Sequence, residues 1–490
     1  MDNLDRFGPV LALFITAGVI VLLDVSPVRL RRPAVVAIAL AGIVLSLLWT
    51  VSHAARGQFS GDGVTAFGGA LALDRFALFF AVLFPAVTGF VILASLDFVE
   101  QLEDRAPEYF ALLLVIAGGA MMLAASNDLV AIFIALELQS VSQYVLAGFM
   151  RDARSSEAGL KYLLLGATSV AIMLYGMALL YGLSGSTALP DIAAAARNAG
   201  EGQRAAFLAA AVAIAVGFGF KMAIVPFQMW APDVYQGAPT PVTAYLSVGS
   251  KAAAFAITLR LFYTALGEGI IASGWANMFA VLAAVSMTVG NVIAIQQREI
   301  KRLLGYSSIA QAGNFLIGVA AISAEGQRFT LGSSAVLFFI ASYAFTNLGA
   351  FFAVIAISNR TGSTEIADFA GMWRRAPALS LVLAFCLISL TGLPPTAGFI
   401  AKIYVFNAAV RADLVWLVVV AVLNTLVSAY YYLAVVRQMF VAPASDEAPI
   451  RSTPALQVAM GVAVIGVLLF GVFPTPLLRV AERAVSVFAG

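Results

Sequence analysis

The chain of 490 residues has one cysteine, Cys386, one histidine, His53, and only 11% charged residues. Iron–sulfur, haem and zinc sites draw several such ligands from the protein, so no metal and no redox cofactor is expected in this chain. A lone thiol excludes an intramolecular disulfide, and cysteine usage therefore says nothing about compartment. Soluble globular chains are normally about a quarter charged. The formal net charge of +2 leaves no basic surface that could neutralise a run of phosphates. Soluble enzymes, nucleic-acid binders and disordered scaffolds are thus excluded together. No G-x-x-x-x-G-K-[ST] segment occurs, which argues against a primary ATP-driven pump.

What is abundant is apolar sequence, 62% of the chain. A helix needs roughly 20 apolar residues to cross the hydrocarbon core. Fourteen such stretches lie at 8–24, 33–52, 75–96, 108–125, 127–149, 158–182, 206–228, 241–265, 275–296, 301–322, 331–357, 378–408, 412–440 and 455–473. The runs are long and do not alternate, so an all-α integral membrane protein is expected rather than a β-barrel. Asp2, Asp5 and Arg6 replace the basic start of a signal peptide, and the first span is read as retained. The connections 183–205, 358–377 and 441–454 are too short for a soluble domain.

Joining spans one to two, three to four and so on, one side of the membrane collects Arg29, Arg31, Arg32, Arg105, Arg151, Arg154, Arg298, Lys301, Arg302, Arg360, Arg374, Arg375, Arg437 and Arg451. These are fourteen basic residues, against nine on the other side and the two termini. The positive-inside bias places the fourteen in the cytoplasm and both termini outside.

Arginine and lysine are distributed differently. Of 23 Arg, nearly all lie in connections or at span ends, Arg260 being the unexplained exception. Four of the 5 Lys, Lys161, Lys221, Lys251 and Lys402, fall within spans, and only Lys301 reads as a boundary residue. An intramembrane lysine costs about 2.5–3.5 kcal/mol on insertion scales and calls for a functional reason. Arginine keeps its proton in any protein setting, whereas a desolvated amine can release it. Lys251 lies ten residues beyond Pro241, about 15 Å at 1.5 Å per residue, close to the bilayer centre. Glu137, in IALELQS, is the acidic residue well inside a span. Asp128 and Glu299 fall at span ends, where solvated or capping roles account for them.

Two spans are interrupted next to their lysines. Lys221 is followed by Pro226, Pro232, Pro239 and Pro241, and Pro394 and Pro395 precede Lys402. Proline frees carbonyls, tolerated at depth where protein or water satisfies them. The two broken spans are each the fourth of a five-span unit, and an odd unit must lie inverted relative to its copy. The expected organisation is a three-helix segment at 1–100, a first unit at 105–268 (spans 4–8), an inverted second unit at 272–442 (spans 9–13) and a C-terminal helix at 450–490.

The segments FGFKMAIVPFQMWAPDVYQGAPTPVTAYLSVGSK, IALELQSVSQYVLAGF with EAGLKYLL after it, and LTGLPPTAGFIAKIYVF together resemble the antiporter-like membrane subunits of respiratory complex I. The resemblance covers most of the chain and is strongest to the N subunit of bacterial NADH:quinone oxidoreductase, the equivalent of mitochondrial subunit 2. STEIADFAGMWRRAP looks like that subunit, M-type subunits carry Glu where this chain has Lys402, and Phe488–Gly490 leaves no room for the lateral helix of L-type subunits. The full set of spans points to a bacterium, since the subunit is shorter in many animals.

The resemblance implies that Glu137 and Lys221 form the ion pair of an uptake half-channel, that Lys161 tunes the pair, that Lys251 is the central lysine and that Lys402 serves the exit half-channel. With no histidine in its spans, the chain would connect Lys251 to Lys402 through water and hydroxyl or amide groups, with Ser307, Ser308, Gln311 and Tyr343 as candidates. It further implies partner subunits in the complex that hold FMN, iron–sulfur clusters and quinone, and a location in the bacterial inner membrane. A multi-subunit cation/proton antiporter and a purely structural membrane subunit are the alternative functions. Plainer readings stand beside each residue: a static Glu137–Lys221 pair, a surface i,i+4 pair of Glu157 with Lys161, packing kinks at Pro394 and Pro395, a solvated loop site for His53 and a core position for Cys386.

Overall fold

The computed structural model describes residues 2–26, 31–59, 64–102, 104–267, 269–322, 330–444 and 448–488; Arg29 of the Arg-rich set and the last two positions, 489–490, lie outside them. Among the described residues, 13 helices are long and apolar enough to cross a membrane. The remaining expected span is two shorter helices end to end, Pro377–Thr391 and Ala397–Arg411. The other interrupted span is Glu201–Met222 followed by the short Trp230–Gly237. Both breaks thus fall where proline predicted them. The sixth span begins earlier than its apolar run, at Ala153, because Asp152 caps it by accepting from Ser155 N at 2.8 Å.

Three further acids cap span starts in the same way. Asp74 accepts from Ala77 N at 2.8 Å, Asp128 from Val130 N at 2.8 Å and Glu299 from Arg302 N at 2.6 Å, each satisfying a donor that a helix start leaves free. Glu137 is not at a cap; it lies in the middle of Leu129–Ala147.

Three spans form the centre. Thr240–Thr264, Ile300–Ala320 and Thr330–Thr361 are 94% or more buried over their apolar windows, whereas Val415–Val441 and Pro454–Val472 are only 33% buried. The outer helices present Leu22, Val25, Leu426 and Val441 outward, which suits lipid rather than water. Lys251 therefore sits on an innermost span. That span is not uniform: between Thr240–Tyr245 and Lys251–Thr264, residues Leu246–Ser250 form a π-helical turn. Such widened turns recur at functional sites.

Two connections are built alike. Leu129 N donates to Thr187 O at 2.9 Å and Leu189 N to Asn127 O at 3.0 Å; Ile300 N donates to Thr364 O at 2.9 Å and Ile366 N to Arg298 O at 2.8 Å. The capping acids Asp128 and Glu299 stand at matching points of these two pairings, bridged to Ala188 and Glu365.

Two expectations need correction. His53 is not a solvated loop residue: it is fully buried at the end of Arg32–Ala55, where Trp49 Nε1 donates to its Nε2 at 3.0 Å and Asp5, on the N-terminal turn Asp2–Arg6, lies 3.5 Å away. The N-terminal turn folds back over that helix end, which span counting does not reveal. Lys301 is not an ordinary boundary lysine either; it is buried and donates at 2.9 Å to Ala238 O, at the end of the short helix Trp230–Gly237. Arg260, unexplained from sequence, is buried and paired with Asp74 at 2.8 and 2.9 Å, and it donates to Ala124 O at 2.7 Å. Cys386 is buried, as its small apolar character suggests.

Candidate functional site

The break after Met222 begins at Ala223, whose backbone is left-handed at φ +57. The groups it exposes are satisfied by neighbours: Trp230 Nε1 donates to Phe220 O at 2.8 Å, and Val225 N donates to Ser286 Oγ at 3.0 Å. Trp230 in turn stacks on Tyr162 at 4.3 Å between ring centroids. These contacts fix the end of Glu201–Met222 and with it Lys221, which is 2% exposed.

The Lys221 amine donates to Gln143 Oε1 at 3.0 Å. Tyr162 OH donates to the same oxygen at 3.0 Å and Ser250 Oγ at 3.1 Å. The Tyr144 and Tyr162 rings flank the amine at 5.5 and 5.4 Å, a cation–π arrangement. Tyr144 reaches this position because residue 166 is glycine, where a Cβ would lie 2.2 Å from the phenol oxygen. Glu137 and Lys221 are not among the ion pairs within 4.0 Å in the described residues, and Glu137 Oε1 is buried without a hydrogen-bond partner. Both side-chain polar atoms of Gln139, Gln143 Nε2 and Tyr144 OH are likewise buried and unpartnered. Each of these orphaned polar atoms is a place where a water would find a partner.

Ser250 ends the π turn, and Lys251 is the residue after it on the same span. Lys251 is 2% exposed and donates to the Ser308 carbonyl. The hydroxyl of Ser308 accepts from Tyr343 OH at 3.2 Å and lies 3.3 Å from Tyr235 OH. Tyr343, Gln311, Thr346 and Ser389 then line a cavity that ends at Lys402. Lys402, 4% exposed, donates to Thr391 O at 2.8 Å and to Thr425 Oγ1 at 3.2 Å. Ser308, Gln311 and Tyr343 thus lie between the two lysines, while Ser307 is hydrogen-bonded to Tyr432 OH.

Lys161 stands apart. It is 41% exposed and pairs with Glu157 at 2.7 Å and with Asp233 at 2.6 Å, not with Glu137 or Lys221. Arg302 reaches the other oxygen of Asp233 at 2.6 Å. Arg154, Glu157, Lys161, Asp233 and Gln236 border a cavity of about 210 Å³ open to the surface.

Gln143, Tyr162, Ser250, Asp233, Thr391 and Thr425 were not singled out from sequence. Gln143 carried a usable signal, an amide inside an apolar helix near Glu137; a lone threonine or tyrosine in a span carries none. Chemically, the arrangement is two polar clusters, one around the Lys221 amine and one from Lys251 to the cavity at Lys402, carried on neighbouring residues of one span. Nothing in it gathers a metal: among the described residues no group of three His, Cys, Asp or Glu side chains could hold one.

Residues 126–428 match the family described as NADH:quinone oxidoreductase/Mrp antiporter, TM. The chain is 41% identical to NADH-quinone oxidoreductase subunit N of Dehalococcoides mccartyi over 486 residues, 98% of this chain and 99% of that protein. It is 43% identical to subunit N of Moorella thermoacetica over 437 residues, 89% of each. Among solved structures, a chain of respiratory complex I from Thermus thermophilus with bound aureothin matches with a TM-score of 0.80 at 32% identity, over 96% of this chain and 98% of that one.

Proposed function

The chain belongs to the antiporter-like transmembrane family of NADH:quinone oxidoreductases and Mrp antiporters, among the subunit N proteins, and from that premise we propose that it is a non-redox proton-translocating subunit of NADH:quinone oxidoreductase. The observation that carries the proposal is two polar clusters meeting at consecutive residues of one span: Lys221, Gln143 and Ser250 on one side, Lys251, Ser308 and Tyr343 on the other, with Tyr343 lining the cavity at Lys402. Partner subunits of the complex would hold FMN, iron–sulfur clusters and quinone, and this chain would take up part of the free energy that their reaction releases. Its place is the bacterial inner membrane as a multi-pass protein with both termini in the periplasm.

Glu137, Lys161, Lys221, Lys251 and Lys402 carry the transfer in this reading. When Lys221 is drawn to Glu137, the carboxylate stabilises the ammonium; when the two part, that support is lost and the proton can pass towards Lys251. Lys161, held at the mouth by Glu157 and Asp233, tunes the field at the pair from outside. The unpartnered Glu137 oxygen favours water at the uptake side, and hydroxyl groups substitute for histidine between Lys251 and Lys402. The matched pairings at Asp128 and Glu299 support an inverted repeat of spans 4–8 and 9–13, with one broken helix in each.

Replacing Lys221 with Met tests the proposal. Assembled complex in membrane vesicles should then lose NADH-driven proton pumping. Normal pumping would overturn the reading, and loss of sodium tolerance with redox-linked pumping intact would assign the chain to a cation/proton antiporter.

A further inference from the structure

We infer that Gln143 is the station that holds the Lys221 amine when it is parted from Glu137, and that its carbonyl oxygen directs that amine towards Ser250 and Lys251. The inference rests on the proton-transfer reading above and adds to it a positioning residue.

The geometry carries it. One buried amide oxygen receives Lys221, Tyr162 and Ser250 at 3.0, 3.0 and 3.1 Å. A carbonyl oxygen has two lone pairs, so three donors share what fully serves two. Departure of the ammonium therefore leaves the oxygen satisfied by the two hydroxyls, and its return costs them only part of their bonds. A neutral amide also holds an ammonium less tightly than a carboxylate does. The station keeps the amine in place without trapping it. Glu137, on the same helix with an unpartnered oxygen, is the competing station.

The test uses the full assembled complex in vesicles, with Gln143→Leu, Gln143→Glu, Lys221→Met and the Leu/Met double variant. Gln143→Leu should assemble and lower NADH-driven pumping about tenfold, which is what losing a hydrogen bond to a charged donor is worth. Gln143→Glu keeps the size and the acceptor but traps the amine, and should lower pumping as well. In the Lys221→Met background, which has already lost pumping, Gln143→Leu should leave the amount of assembled complex unchanged, because its effect runs through that amine. Wild-type pumping in Gln143→Glu overturns the inference even if Gln143→Leu fails to assemble, and so does a further loss of assembled complex in the double variant. Loss in Lys221→Met with normal pumping in both Gln143 variants sinks this inference alone. Normal pumping in Lys221→Met sinks the proton-transfer reading together with it.

Discussion

Arg260 and Asp74, 186 positions apart in the chain, close a two-pronged pair at 2.8 and 2.9 Å inside the protein. The guanidinium also lies 4.9 Å from the Phe76 ring centroid and takes the Ala124 carbonyl, while the carboxylate caps the third span. The pair ties the helix of Lys251 to the third and fourth spans. Removing one partner of a buried pair leaves an uncompensated charge, at about 3–5 kcal/mol. Asp74→Ala should therefore lower the thermal stability of the purified complex sharply, while Asp74→Leu combined with Arg260→Leu should cost less than Asp74→Ala alone. Melting curves of the two variants decide it.

Lys402→Met separates function from stability. The two bonds it loses are to a carbonyl and a hydroxyl, and Met fills nearly the same apolar volume. Assembly should be close to wild type while NADH-driven acidification of reconstituted vesicles falls at least about tenfold; unchanged acidification would exclude Lys402 from the path.

Gly392 is required twice over. Its φ of +89 ends Pro377–Thr391 in a left-handed turn, and a Cβ there would lie 2.8 Å from Lys402 Cδ. Gly392→Ala should cost about 1–3 kcal/mol of backbone strain and displace the lysine. Lower pumping with nearly normal assembly is expected, and Gly185→Ala, left-handed at φ +72 with open space around it, is the control that should pump normally.

Asp233 joins Lys161 of the sixth span to Arg302 of the tenth. These pairs are part-exposed, and each such pair is worth about 0–1 kcal/mol. Asp233→Asn should leave assembly intact and lower turnover severalfold, an effect that high salt mimics in the wild type if the coupling is electrostatic. Salt-independent turnover would show that the cluster only staples helices.

The spans were legible because length and apolarity alone specify them, and the two breaks because proline removes a helical hydrogen bond wherever it falls. The depth of Lys251 followed from counting ten residues from Pro241 at a fixed rise. What could not be counted was convergence. Gln143, Tyr162 and Ser250 lie on three different helices, and no periodicity within one span reports that they meet at one oxygen. The same holds for Lys301, which looks like a boundary residue until the end of Trp230–Gly237 is laid against it, and for His53, buried by a turn forty-odd residues upstream. Lys161 shows the opposite case: its pair with Glu157 was readable at four residues' spacing, its pair with Asp233 was not.

The π turn at Leu246–Ser250 sets the compass bearing of everything after it. Each residue advances a regular helix by about 100°, so one extra residue accommodated in a wide turn swings Lys251 by that angle around its axis. Tightening those five residues into ordinary helix would aim the amine at a different neighbour and leave the Ser308 carbonyl behind. A single-residue deletion in this stretch would thus disconnect the two halves of the path without altering any of its lysines.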